Sequence, residues 1–208
     1  MTQPAEATPR RWFEAWRGPA QFFDAARKDV RSFFLADRTP PQYLREAYVA
    51  GLFARIWRDT RGPCKVRLVP EKEKFPDAQL RAEGIDDLHL EVTMALKRGN
   101  RLFNEWRELR AKAEQGAVVL AECTEQRQAS AREAIPRAIR RKANKHYAGE
   151  TRTTLLVHSD DGTTLSAEEM DRLTDPWKGR FDAVYLLCGM DAVEVWPERQ
   201  VLRGTEPP

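Results

Sequence analysis

The sequence predicts an α/β fold: a mixed central sheet flanked by helices, with an N-terminal helical extension. Three observations carry this expectation. Apolar residues recur at helical spacing through the first 60 positions, three short strand-like runs then follow one another across turn signals, and beyond them helical and strand-like segments alternate. That order builds a sheet covered by helices.

The elements follow in turn. Pro19 to Leu35 places Phe22, Phe23, Ala26, Val30, Phe33 and Phe34 on a helical repeat, and Pro41 to Thr60 does the same with Tyr43, Leu44, Ala47, Tyr48, Leu52 and Ile56. Pro40-Pro41 separates the two helices, and Gly62-Pro63 ends the second. Lys65 to Val69, Phe75 to Arg81 and Leu88 to Met94 read as an antiparallel meander, with Glu83-Gly84 near the hairpin turn. Arg98 to Gln115 and Ser130 to Tyr147 read as helices around the short apolar run Ala117 to Ala121, and Gly149 marks a stop. Thr153 to His158 is β-branched and apolar enough for a strand. Ser166 to Thr174 reads as a helix, and Phe181 to Cys188 and Ala192 to Trp196 as strands, after which the chain is expected to fray from Pro197. The expected organisation is an N-terminal helical extension over 1–62 packed on the core, an α/β core over 63–200 and a flexible tail over 201–208.

Composition narrows the class. With 208 residues the chain can bury a sizeable core as one larger domain. Its longest apolar runs are about six residues, against the roughly 20 that span a bilayer, so no membrane segment is expected. The N-terminus MTQPAEATPRRW lacks the apolar stretch of a secretory signal, and three scattered cysteines, Cys64, Cys123 and Cys188, point to a reducing cytoplasm. Zinc is disfavoured, because there is no CxxC pair and His89, His146 and His158 show no ligand spacing with the cysteines. The net charge of +3 is unevenly spread. Lys97 to Arg152 carries 14 Lys and Arg against 7 Asp and Glu, a net +7, whereas Thr153 to Pro208 is at −6. A basic middle suits either a face turned to a polyanion or the solvated surface of exposed helices.

The chemistry centres on Phe75-Pro76-Asp77-Ala78-Gln79-Leu80 and Leu88-His89-Leu90-Glu91-Val92-Thr93, which put Asp77 and Glu91 on neighbouring strands. A carboxylate among apolar neighbours must be solvated, paired or bound to a cation, because burying it unpaired costs too much. Two side by side suggest a hard-metal site.

A helix, an antiparallel strand trio with PD on the second strand and ExT on the third, then a basic helix and an apolar strand resemble the PD-(D/E)XK, restriction-endonuclease-like nuclease superfamily. The resemblance covers roughly Gln42 to His158. It implies that Asp77 and Glu91 bind a divalent metal, with the Val92 carbonyl as a third oxygen, and such ligands suit Mg²⁺ or Mn²⁺. Glu46 either matches the family's helical acidic residue or is a surface charge on its helix. Thr93 stands where the family has lysine, and a threonine cannot offset charge building on a scissile phosphate.

In some members the lysine comes from the following helix, and here Ile135 to Tyr147 offers Lys142 and Lys145. Ile135, Ile139 and Ala143 lie one turn apart and would face the core. At about 100° per residue Lys142 falls about 60° from that stripe, close enough to reach the open end of the sheet. Either Lys142 is the migrant catalytic lysine, or both lysines belong to a solvated basic face. With Asp77, Glu91 and Lys142 as catalytic residues, the implied activity is metal-dependent endo- or exonucleolytic hydrolysis of DNA, with Arg137, Arg140, Arg141 and Lys145 on the phosphate backbone. The other class is a catalytically inactive scaffold of the same fold that binds nucleic acid or a protein.

Other constellations are weaker. No Gly-rich phosphate loop occurs, and Gly116, Gly149 and Gly162 are isolated. His158-Ser159-Asp160-Asp161 holds the residue types of a hydrolase triad, but consecutive residues at a strand end diverge and more naturally form a turn. Trp12, Trp16, Phe22 and Phe23, beside Arg10, Arg11 and Arg17, read as the buried stripe of an amphipathic helix or as a partner contact, including a homo-oligomer through the N-terminal helices.

Overall fold

A computed structural model describes residues 7–36, 38–73, 75–95, 124–145, 153–159, 165–177, 179–188, 191–196 and 200–203. The helix expected over Arg98 to Gln115, the run Ala117 to Ala121 and the sequence beyond Arg203 lie outside them. Helices α1 (Arg10–Phe13), α2 (Pro19–Leu35) and α3 (Gln42–Arg61) precede strands β1 (Cys64–Leu68), β2 (Ala78–Ala82) and β3 (Leu88–Met94). Then come α4 (Thr124–Ala143), β4 (Thr153–His158), α5 (Ala167–Thr174), β5 (Ala183–Cys188), β6 (Asp191–Trp196) and β7 (Gln200–Arg203).

The strands form one seven-stranded sheet in sequential order. β1, β2 and β3 are antiparallel, β3, β4 and β5 are parallel, and β5, β6 and β7 are antiparallel again, so the expected meander and mixed sheet are present. Several boundaries differ from the sequence reading, among them the start of α4 at Thr124 where Ser130 was expected. Asp77 does not lie on β2 but immediately before it, where its carbonyl accepts the Val69 N–H at 3.2 Å. And the stretch expected to fray after Pro197 contains β7, which pairs with β6 from Asp191↔Arg203 to Glu194↔Gln200. Four residues are too few to show a two-residue period, so sheet pairing rather than local pattern makes this strand.

Successive strand residues point to opposite faces, and the sheet separates two cores accordingly. On one face Val66, Leu68, Ala78, Leu80, Leu90, Val92, Leu156, Tyr185 and Leu187 pack with the first three helices. On the other, Leu155, Val157, Val184, Leu186 and Cys188 pack with α4 and α5. The N-terminal helices are thus one layer of the sandwich more than an appendage. Helix α3 is buried along most of its length, from Leu44 to Trp57, which is the signature of a central helix. Phe13, Phe22 and Phe23 are spent in this core, with Trp12 packed against them, so the N-terminal aromatic stripe faces inward. Among the described residues no helix is long and apolar enough to cross a membrane.

Helices α2 and α3 meet at Gly51. A Cβ there would lie 3.0 Å from Phe22 Cδ1 and 3.0 Å from the Phe23 Cα. The second contact is backbone and cannot rotate away. Gly51→Ala gains about 1 kcal/mol of helix propensity but overpacks a filled core, which costs about 1–3 kcal/mol. A net loss of about 1 kcal/mol is expected, read as a lower urea midpoint at unchanged slope.

Candidate active site

Strand β3 alternates Leu90 and Val92 toward α3 with Glu91 and Thr93 toward α4. Alternation alone therefore delivers one acid and one hydroxyl to the α4 side. From α4, Lys142 closes the site. Its Nζ donates to Asp77 Oδ2 at 2.6 Å and to Glu91 Oε2 at 2.6 Å. Asp77 Oδ2 also accepts the Val92 backbone N–H at 2.8 Å, which ties the residue before β2 to the middle of β3. Asp77, Glu91 and Lys142 thus converge.

Lys142 is 6% exposed and Glu91 1% exposed, so this ion triad is held inside the protein. Lys142 is not part of a solvated face. Ala131, Ala134, Ile135, Ala138, Ile139 and Ala143 are also buried, and at about 100° per residue Lys142 falls at the centre of that arc rather than on its flank. The small alanines bring α4 close to the sheet, and the apolar lysine stem lies in this seam with its ammonium among oxygens. Burial pulls the Lys142 pKa down, but the charges of Asp77 and Glu91 and the hydrogen bonds to both outweigh it and leave it above the ordinary lysine value. The side chain is a permanent cation at physiological pH.

Glu46 is likewise no surface charge. It is 8% exposed, and its Oε1 accepts from Gln42 Nε2 at 2.7 Å, one helical turn earlier. Burial first, and the nearby charge of Asp77 second, raise its carboxyl from an ordinary 4.5 to about 7, against smaller opposing effects of Gln42, Lys142 and Arg10. An acid whose folded pKa is raised binds its proton more tightly in the native state. Stability therefore falls as pH rises from about 4.5 through 7, by roughly 3 kcal/mol in all. Glu46→Gln removes this proton linkage. The variant is expected to match the wild type near pH 4.5 and to exceed it in urea midpoint at pH 8, where the wild type carries the buried charge.

Thr93 is not without a cation. Arg141 Nη2 donates to Thr93 Oγ1 at 2.7 Å, so the helix supplies two consecutive basic residues to this end of the sheet. Arg137 pairs with Glu133 at 2.8 Å, Arg140 lies over the Trp177 ring at 5.8 Å, and Lys145 is exposed just past the helix end. Of the residues of the hydrolase-triad alternative, His158 is turned against Tyr48, in edge contact at 5.9 Å, and Asp160 and Asp161 lie outside the described residues.

Among the described residues, no three His, Cys, Asp or Glu side chains form a ready metal cage. Mg²⁺ does not require one, because it is commonly held by one or two carboxylates with waters and substrate phosphates completing its shell. Asp77 and Glu91 are such donors, and in this structure both share the Lys142 ammonium. The donor set fits a hard divalent ion. Comparison of the chain with protein-family models, curated proteins and solved structures finds no match.

The site opens on a cleft of about 520 Å³ lined by Arg10, Gln42, Tyr43, Glu46, Glu71 and Asp77 together with four apolar residues. The sequence reading names Arg10 only beside the N-terminal aromatic stripe, as part of a candidate base or partner contact, and does not reach Gln42, whose signal is its four-residue spacing from Glu46.

Proposed function

We propose that this chain is a divalent-metal-dependent nuclease of restriction-endonuclease-like fold that hydrolyses DNA phosphodiester bonds. The observation that carries the reading is the meeting of Asp77, Glu91 and Lys142 from three separate elements, with Glu46 buried beside them. A bound Mg²⁺ or Mn²⁺, held by Asp77 and Glu91, supplies polarisation of a phosphodiester oxygen and acidification of a water. Lys142, charged throughout the neutral range, offsets negative charge accumulating on the phosphate. Glu46, whose carboxyl is raised to about 7 by burial first and the Asp77 charge second, would serve as the general base that takes the proton of the attacking water. The phosphorus–oxygen bond to the leaving group then breaks, and that oxygen takes a proton from solvent. Arg141, hydrogen-bonded to Thr93, would add a second cation beside the phosphate.

The expected result is Mg²⁺- or Mn²⁺-dependent cleavage of linear and nicked DNA by the wild-type protein, abolished by a chelator. Absence of cleavage with either metal, together with absence of metal binding by calorimetry, returns the triad to a structural role. The second reading, a scaffold of the same fold, draws on the same closed triad. An ammonium between two carboxylates is already charge-compensated, and it holds α4 on the sheet whether or not a metal enters.

A further inference from the structure

We infer that the cleft beside Asp77 and Glu46 is the subsite for the nucleotide flanking the scissile phosphate, and that Arg10 binds that nucleotide's phosphate. This rests on the nuclease reading and gives it a substrate-binding wall from the first residues of the chain. At about 520 Å³ the cleft has the size of a small-ligand site and admits one nucleotide unit. Its walls are rigid: Pro41, Pro70 and Pro76 line it with Tyr43. A ring stacks or packs on such surfaces without reading its identity.

The N-terminal segment that carries Arg10 is fixed to the core. Arg17 and Val66 exchange backbone hydrogen bonds at 3.0 Å in both directions, the Thr8 N–H donates to Asp29 Oδ2 at 2.7 Å, and the Tyr43 hydroxyl donates to the Thr8 carbonyl at 3.1 Å. Arg10 itself is oriented by two bonds, from Nε to Glu14 Oε1 at 3.2 Å and from Nη2 to the Val69 carbonyl at 2.9 Å. A guanidinium has five N–H donors in a planar fork, so a side chain held this way still matches a phosphate.

The acids around the cleft do not cancel this attraction. Asp77 is compensated by Lys142, Glu46 Oε1 accepts from Gln42, and Glu14 engages Arg10 through Nε alone, so the Arg10 fork keeps N–H donors for a phosphate against Glu71. Occupation of the cleft thus places a phosphate at Arg10 and the next one toward Asp77, Glu91 and Lys142.

The test measures anisotropy of a fluorescein-labelled oligothymidine on the full-length Asp77→Asn protein with Mg²⁺, over a range of salt. Arg10→Gln in that background is expected to weaken binding about tenfold and to reduce the slope of log K against log salt by about 0.7, one phosphate contact on a single strand. Arg10→Lys is expected to keep the slope, and Arg11→Gln, on the exposed neighbour, to change neither. Melting curves confirm that each variant is folded. Unchanged affinity and slope in a folded Arg10→Gln protein overturn the subsite while cleavage by the wild type leaves the nuclease reading intact. No oligonucleotide binding and no cleavage by the wild-type protein overturn both.

Discussion

Lys142→Met is expected to destabilise the protein by about 3–5 kcal/mol, the largest stability change of any single substitution considered. The side chain lies 2.6 Å from both Asp77 Oδ2 and Glu91 Oε2 and is all but buried. Methionine fills most of the volume but leaves two carboxylates facing one another, one of them 1% exposed. Breaking a buried ion pair from one side costs far more than the pair itself contributes, because the remaining charge keeps its desolvation penalty. The pH dependence gives the signature. With its cation gone, the pair must hold a proton, and a carboxyl whose folded pKa is raised contributes stability that is present at low pH and lost as pH rises through that value. The deficit should therefore be smaller at pH 5 than at pH 8. Pairing Lys142→Met with Glu91→Gln should recover a large part of it, since contacting residues depart from additivity by about 0.5–3 kcal/mol. Denaturant unfolding of the wild type, both single variants and the double variant at the two pH values measures the cycle.

What was legible in the sequence is what local pattern encodes. The apolar repeats of α2 and α3, the meander and β4 all follow from spacings of two or of about 3.6 residues that survive without their partners. So did the site's ends: Asp77 and Glu91 by their motif, and Lys142 by its angle to Ile139 and Ala143. The misplacements are tertiary. Lys142 stands at the centre of the buried arc of α4 because Ala131, Ala134 and Ala138 widen the apolar face, and alanine by itself does not announce burial. Glu46 could not be told from a surface charge, since α3 is buried on nearly every side and its amphipathic signal is correspondingly faint. Arg10 gained its place on the cleft from contacts 59 residues distant, with the Val69 carbonyl. No window of sequence contains that information.

Asp77→Asn should abolish metal-dependent cleavage, by at least about 10³-fold, while leaving a folded protein. The magnitude follows from its position. Asp77 Oδ2 faces Lys142, and Asp77 charge is the principal partner effect raising Glu46 to about 7. On the nuclease reading, loss of that charge removes a metal ligand and also lowers the Glu46 pKa in part, burial still holding it above its ordinary range, so the proton acceptor and the metal site are weakened together. The fold is less exposed to the change. The asparagine carbonyl oxygen can still accept the Val92 N–H and the Lys142 ammonium, and Lys142 keeps a charged partner in Glu91, so a stability loss of about 1–3 kcal/mol is expected. Glu46 provides the discriminating readout. In the variant, the fall in stability between pH 4.5 and 8 should become shallower, because less of the proton affinity remains to be lost. An Asp77→Asn protein that cleaves DNA at the wild-type rate would remove Asp77 from the metal site. One that is inactive but shows an unaltered pH slope would leave Asp77 as a ligand and dissociate it from Glu46.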